Sequence, residues 1–213
     1  MNSPIQQLAD RLSDTLTTPH TQPWLWPTLL RLLAGGEPVT VDQLATATGR
    51  SAEEIRQALA DMPDTEYDDS GAIIGSGITL EPTPHRFETG GKALYTWCAL
   101  DTLIFPAVLG QPAQVSSPCH TTGTPVRVTV EPDRVTSVDP ATAVVSVVAP
   151  NAPASIRTAF CNQVHFFASA DAAQGWLDAH PGATVLPVAD AFALGRPLAQ
   201  QLLTGDTPPA WTC

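Results

Sequence analysis

The sequence predicts an α+β fold in which an N-terminal helical, winged-helix-like module precedes a mixed or antiparallel sheet core with flanking helices. Three patterns carry that expectation. Helical spacings with cap signals fill the first sixty residues, Asp69-Ser70-Gly71 between short apolar runs signals a hairpin, and β-branched alternation at Val126, Val128 and Val130 follows. A chain of 213 residues is long enough to bury a sizeable core.

Taken in order, Ile5, Leu8, Leu12 and Leu16 recur at helical spacing and predict an amphipathic helix, ended by the run that holds Pro19 and Pro23. A second helix over residues 25–33 stops at Gly35-Gly36, and a third over 41–48 breaks at Gly49. Ser51, followed by Glu53 and Glu54, opens a fourth that runs to Ala60. Helix, turn, helix and hairpin is the order of a winged helix. Beyond it, the apolar segment 94–105 predicts a buried helix stopped by Pro106, and 126–130 and 144–148 predict strands. Residues 155–160 predict a helical turn, 164–168 a strand, 172–179 a helix, and 188–203 a helix broken at Gly195-Arg196-Pro197. The expected division is an N-terminal helix and linker at 1–23, the winged-helix-like module at 24–80, a catalytic part at 81–204 and a loose, proline-rich tail at 205–213.

Charge narrows the function. The net charge is −11, and the first ninety residues set thirteen acids against five arginines, a balance that repels nucleic acid and anionic membrane. The would-be recognition helix at 52–60 offers Glu53, Glu54 and only Arg56, so the module is expected to serve structure instead of DNA. No apolar run reaches membrane-spanning length and no basic, apolar leader opens the chain, which predicts a cytoplasmic protein. Cys98, Cys119, Cys161 and Cys213 are too few and too scattered for a disulfide framework or a zinc ribbon, and reduced thiols are expected.

Two of these thiols sit where chemistry is plausible. Cys98 and Asp101 lie three apart, so on a helix they share a face and can pass a proton. An apolar setting disfavours the charged carboxylate and raises its proton affinity, as a proton donor near neutral pH requires. Cys161 stands at an element boundary, free to face a cleft. Arg157, four residues earlier, either favours the Cys161 thiolate or forms a surface salt bridge. A zinc site from Cys161 and His165 is disfavoured, because four strand residues span about 13 Å.

The segments around Trp97-Cys98-Ala99-Leu100-Asp101-Thr102, Val115-Ser116-Ser117-Pro118-Cys119 and Phe160-Cys161-Asn162-Gln163-Val164-His165 closely resemble organomercurial (alkylmercury) lyase. The likeness runs from about Trp24 to about Leu203 and includes Thr65-Glu66-Tyr67-Asp68 and Gly77-Ile78-Thr79-Leu80. It implies a cytoplasmic bacterial resistance enzyme that cleaves the carbon–mercury bond, releasing a hydrocarbon and Hg(II) for a mercuric reductase. It implies also that Cys98 and Cys161 are the catalytic thiols, that Asp101 is the catalytic carboxylate and that Cys119 is structural. Thiolate is the softest common protein ligand for this large, soft metal, and two thiolates raise electron density on the carbon it holds. Protonated Asp101 then supplies the proton, and the metal stays on the two sulfurs with Asp101 as a possible third ligand.

The substrate carries its own metal, so no cofactor is expected. Trp97 and Phe160, beside the two thiols, are candidates for an apolar wall around hydrocarbon groups. Small cytosolic thiols are the expected companions of substrate and product. The alternative class is a cysteine-based winged-helix sensor of metal or oxidant, against which the acidic recognition helix stands. Filter binding to random duplex DNA should show no salt-dependent affinity; steep weakening with added salt would expose phosphate contacts.

Overall fold

The structure, a computed structural model, describes residues 22–148 and 155–204. The expected N-terminal helix and the 205–213 tail with Cys213 lie outside them. The described chain opens with three short helices: α1 (Trp26–Leu33), α2 (Val41–Thr48) and α3 (Ala52–Ala60). Thr40 and Ser51 cap α2 and α3 with reciprocal boxes, Gln43 and Glu54 answering from the third helical position. On α3 the acids occupy the local cations: Arg50 pairs with Glu54 at 3.1 Å and Arg56 with Glu53 at 3.4 Å.

An eight-stranded antiparallel sheet follows. Its strands are β1 (Glu66–Tyr67), β2 (Ile73–Ser76), β3 (Ile78–Thr79), β4 (His85–Thr89), β5 (Lys92–Thr96), β6 (Ala113–Pro118), β7 (Pro125–Val130) and β8 (Val135–Asp139). They lie in the order β1-β2-β3-β5-β4-β6-β7-β8. β6 and β7 alternate buried and exposed residues, with Val115 and Ser117 facing Val128 and Val126 inward. A second, three-stranded sheet places β9 (Val144–Val147) between β10 (Phe166–Phe167) and β11 (Thr184–Pro187). All four residues of β9 are buried, as a central strand covered on both faces requires.

The remaining helices are α4 (Ala99–Leu109), α5 (Ile156–Ala159), α6 (Ala170–Ala179) and α7 (Val188–Thr204). Three expectations are corrected here. The apolar segment 94–105 is not one helix: β5 runs to Thr96, the backbone is extended at Cys98, and α4 starts at Ala99. Nor does Pro106 stop α4, which continues to Leu109 and ends at Gly110 in the left-handed conformation. The proline costs about 3 kcal/mol within a helix, offset by a helix buried nearly all round from Leu100 to Val108. Likewise α7 runs unbroken through Gly195 and Pro197. Gly195 supplies a close approach, since a Cβ there would meet Cγ1 of Ile104 at 2.7 Å.

One buried apolar cluster extends from Leu25, Leu29 and Leu30 of the helical region through Leu100, Leu103 and Phe105 to Leu194 and Leu198. Trp26 is the main rivet: its ring meets Phe105 edge-on at 6.1 Å and its Nε1 donates to the Ser76 carbonyl at 2.8 Å. No helix among the described residues is long and apolar enough to cross a membrane.

Gly77 links these parts to the strand that leads into α4, its carbonyl accepting from the Trp97 amide at 2.9 Å. Its φ is +95°, and a Cβ would stand 2.7 Å from Phe105 Cζ. Gly77→Ala should therefore destabilise the protein by about 1–3 kcal/mol through backbone strain and overpacking, measured by urea unfolding.

Candidate active site

Cys98 is the N-cap of α4, and Asp101 is its third residue. The spacing of three is thus a cap relationship, with cysteine and aspartate where α3 has Ser51 and Glu54. Asp101 Oδ2 accepts the backbone N–H of Cys98 at 3.1 Å, satisfying one donor that a helix start leaves open. Thr96 Oγ1 donates to the Cys98 carbonyl at 3.0 Å, fixing the strand-to-helix junction.

Cys161 arrives from the opposite side, in a single 3₁₀ turn spanning Cys161–Gln163, between α5 and β10. Its expected place at the entrance to a strand over 164–168 becomes a turn, with β10 reduced to Phe166–Phe167. Two sets of hydrogen bonds aim it. The Ala99 amide, next to Cys98, donates to the Val164 carbonyl at 3.1 Å. Ser146 of β9 donates through Oγ to the Gln163 carbonyl and accepts there from the His165 amide, both at 2.8 Å.

The outcome is convergence. The sulfurs of Cys98 and Cys161 and a carboxylate oxygen of Asp101 all lie within 4.8 Å of one another, and both cysteines are free. Cys98 is 0% exposed and Cys161 4%. Asp101 keeps some residue surface, but its carboxyl is desolvated, and burial outweighs its bonds to Cys98 and raises its pKa to about 7. Burial also pushes the Cys98 thiol well up, helped by its donation to Cys161 and the nearby Asp101 charge. Accepting that hydrogen bond favours the Cys161 thiolate, yet burial and the charges of Asp101 and Asp64 prevail and raise it too, with Arg157 opposing them.

The other expected residues fall as follows. The Trp97 ring is half-buried and carries the Arg157 guanidinium 4.9 Å from its centroid. Phe160 is 2% exposed and joins the core. Cys119 stands outside the thiol cluster, its Sγ 3.6 Å from Thr121 Oγ1. Burial opposes its ionisation, but hydrogen bonds from Thr122, Ala168 and Thr121 bring it to about 7. Arg157 forms an ion pair with Glu66 that is only partly exposed, so neither reading of it as a surface bridge nor as a bare thiolate partner is complete. Glu66 and Asp64 are the residues that sequence reasoning missed. Nothing local marks them, since their partners lie ninety residues away.

Residues 78–200 match the family model of alkylmercury lyase, and residues 5–77 match the helix-turn-helix domain of alkylmercury lyase. The chain is 68% identical to an alkylmercury lyase of Streptomyces lividans over 212 residues, covering 98% of this chain and 99% of that one. The chain belongs to the alkylmercury lyase family. Family members named alkylmercury lyase from Bacillus cereus and Pseudomonas putida are 53% and 50% identical, covering 92% and 84% of this chain and 91% and 84% of theirs. The mercury-bound crystal structure of MerB2 superimposes with a TM-score of 0.77 at 23% identity, covering 93% of this chain and 98% of that one, and so shares the fold. Within this lyase fold the acidic α3 belongs to a helix-turn-helix part that shares its core with the thiol-bearing helix.

The raised carboxyl has a thermodynamic signature. Folding holds the Asp101 proton up to about pH 7, whereas the unfolded chain releases it near 3.8. Stability from this group is therefore present at low pH and lost as pH rises through that window. Buried His85 and half-buried His165, lowered by burial to about 3 and about 4, act in the opposite direction on acidification. They are common to wild type and Asp101→Asn, so the difference between the two isolates Asp101. Asp101→Asn should gain stability relative to wild type from pH 4 to 7, by a few kcal/mol in order of magnitude, then stay level; urea unfolding across pH measures this.

Proposed function

We propose that this lyase cleaves the carbon–mercury bond by protonolysis, with Cys98 and Cys161 as the mercury-binding thiolates and Asp101 as the proton carrier. The observation that carries the assignment is the convergence of two sulfurs and one desolvated carboxyl within 4.8 Å. A soft dication prefers two thiolates to any oxygen pair, and a carboxyl that ionises at about 7 can both take and give a proton near neutrality.

The order of events follows from the hydrogen bonds. Cys161, whose sulfur accepts from Cys98, is the easier thiolate to form and attacks the incoming organomercurial first. Its sulfur–mercury bond forms as the substrate's original ligand leaves with the Cys161 proton. Cys98 then binds the metal and passes its proton to the Asp101 carboxylate, which delivers that proton to the carbon as the carbon–mercury bond breaks and is left ionised. The hydrocarbon departs, both thiol protons are accounted for, and Hg(II) remains on the two sulfurs with Asp101 as a third ligand. The mercury-bound carbon is basic because both sulfurs push electron density through mercury.

Trp97 and Phe160 flank the thiols in sequence and form the apolar wall against which alkyl or aryl groups pack. Residues 24–80 serve as scaffold without contacting nucleic acid, and residues 81–204 carry the chemistry. The enzyme works in the cytoplasm, where small thiols deliver the substrate and help remove Hg(II) toward a mercuric reductase. No resident cofactor enters this scheme.

Incubating phenylmercury with enzyme and excess small thiol should yield benzene, followed by gas chromatography. Cys98→Ser and Cys161→Ser should each reduce release by at least about a hundredfold, because one thiolate cannot replace the donation of two. Near wild-type turnover in either variant would refute the two-thiol mechanism.

A further inference from the structure

We infer that Glu66 and Asp64, both contributed by the helix-turn-helix side of the chain, are positioning residues for carbon–mercury cleavage. Acting through Arg157 and Ser155, they hold the turn that carries Cys161 against the wall formed by Trp97 and Cys98. The inference rests on the two-thiol reading of the site and deepens it.

The Cys161 turn is approached through α5, whose start is tied down by one carboxylate. Asp64 Oδ1 accepts from Ser155 Oγ at 2.5 Å and Oδ2 accepts from the Arg157 amide at 3.2 Å. A one-turn helix has no stability of its own, so its place depends on that bidentate anchor. Glu66 holds the same segment by its side chain, Oε1 accepting from Arg157 Nη1. The guanidinium so fixed lies over the Trp97 ring at 4.9 Å, and Trp97 precedes Cys98. Arg157 is therefore a second point, besides the Ala99–Val164 hydrogen bond, where the two thiol-bearing segments meet.

Glu66 is an expensive residue to keep there. Its side chain is 18% exposed, and its second oxygen, Oε2, is buried without a partner among the described residues. Trp97 Nε1 and Thr65 Oγ1 are in the same condition. Opposite Glu66 in the β1–β2 pairing stands Gly75, where a Cβ would collide with Oε2, so the partner strand leaves room for the carboxylate. A partly desolvated ion pair contributes little net stability, whereas the contact of Arg157 Nη1 with Glu66 Oε1 fixes where the guanidinium lies over Trp97. Direction is what two-thiol chemistry demands, because both sulfurs must reach one metal at once.

The distinction from a structural role lies in which kinetic constant moves. A single thiol suffices to capture the organomercurial, but cleavage requires the second to close on it. Slackening the anchor should therefore lower kcat and spare KM. With phenylmercury and excess small thiol, Glu66→Gln should lose about tenfold or more in kcat while KM stays within about twofold. Arg157→Gln should show the same split, and the double variant should be no worse than Arg157→Gln alone, since Glu66 acts through that arginine. Asp64→Asn gives an independent reading of the split should Glu66→Gln fail to fold. A lower melting temperature with kcat per folded molecule unchanged would overturn the inference, as would losses that multiply in the double variant. Retained turnover in Cys98→Ser or Cys161→Ser would instead sink the two-thiol reading, whatever Glu66 does.

Discussion

The end of β5 and the start of α4 meet inside the core, and the rest of the site depends on how that junction is satisfied. A helix start exposes backbone donors that water normally takes. Cys98 and Ala99 are fully buried, so Asp101 turns its carboxyl back onto the Cys98 amide, and the neighbouring Ala99 amide is given to Val164. The first bond brings the acid to one thiol. The second brings the loop of the other thiol to the same place. The convergence of two thiols and a carboxyl is thus a by-product of hydrogen-bonding a buried helix terminus, and the desolvation that makes those bonds necessary also raises the proton affinity of the carboxyl.

The second sheet and the helical region supply the remaining constraint from two directions. β9 lies at the centre of its sheet and reaches the Cys161 turn through one hydroxyl, on Ser146. Asp64 and Glu66 reach it from the other side, across ninety residues of sequence. Between them the turn is held at both ends, while α4 holds Cys98 from beneath. The stacked imidazoles of His120 and His165, 3.8 Å apart, lie beside Phe167 just past that turn, and desolvation lowers the proton affinity of both.

Much of this was legible in the sequence where the signal is local. Thr40 and Ser51 with their capping partners, Gly49, and the valine alternation of β7 depend on neighbours within a few residues. The proximity of Cys98 and Asp101 was legible too, though for a different geometric reason: three residues is also the distance from N-cap to N3. The junction itself was hidden because Leu94 to Phe105 is apolar throughout, and a buried strand followed by a buried helix has no periodic contrast. β4 and β6 escaped notice because their inward residues include His85, Thr89 and Ser117, polar groups that only tertiary partners make tolerable. The anchoring of α5 by Asp64 and Glu66 left no pattern along the chain, since each partner alone reads as an ordinary surface charge.

Trp26 has a consequence for how this protein can change over time. Its ring packs on Phe105 and its indole N–H on Ser76, so the helical region and the thiol-bearing helix share a face that neither could expose to water alone. Enzymes whose parts meet across polar seams can trade those parts by recombination and keep the chemistry. Here an exchanged helical region would have to bring a matching shape for Phe105, a glycine at 77 and carboxylates at 64 and 66 together. The two regions are bound to drift as a pair, each substitution on one side of the shared face limiting what the other side can accept.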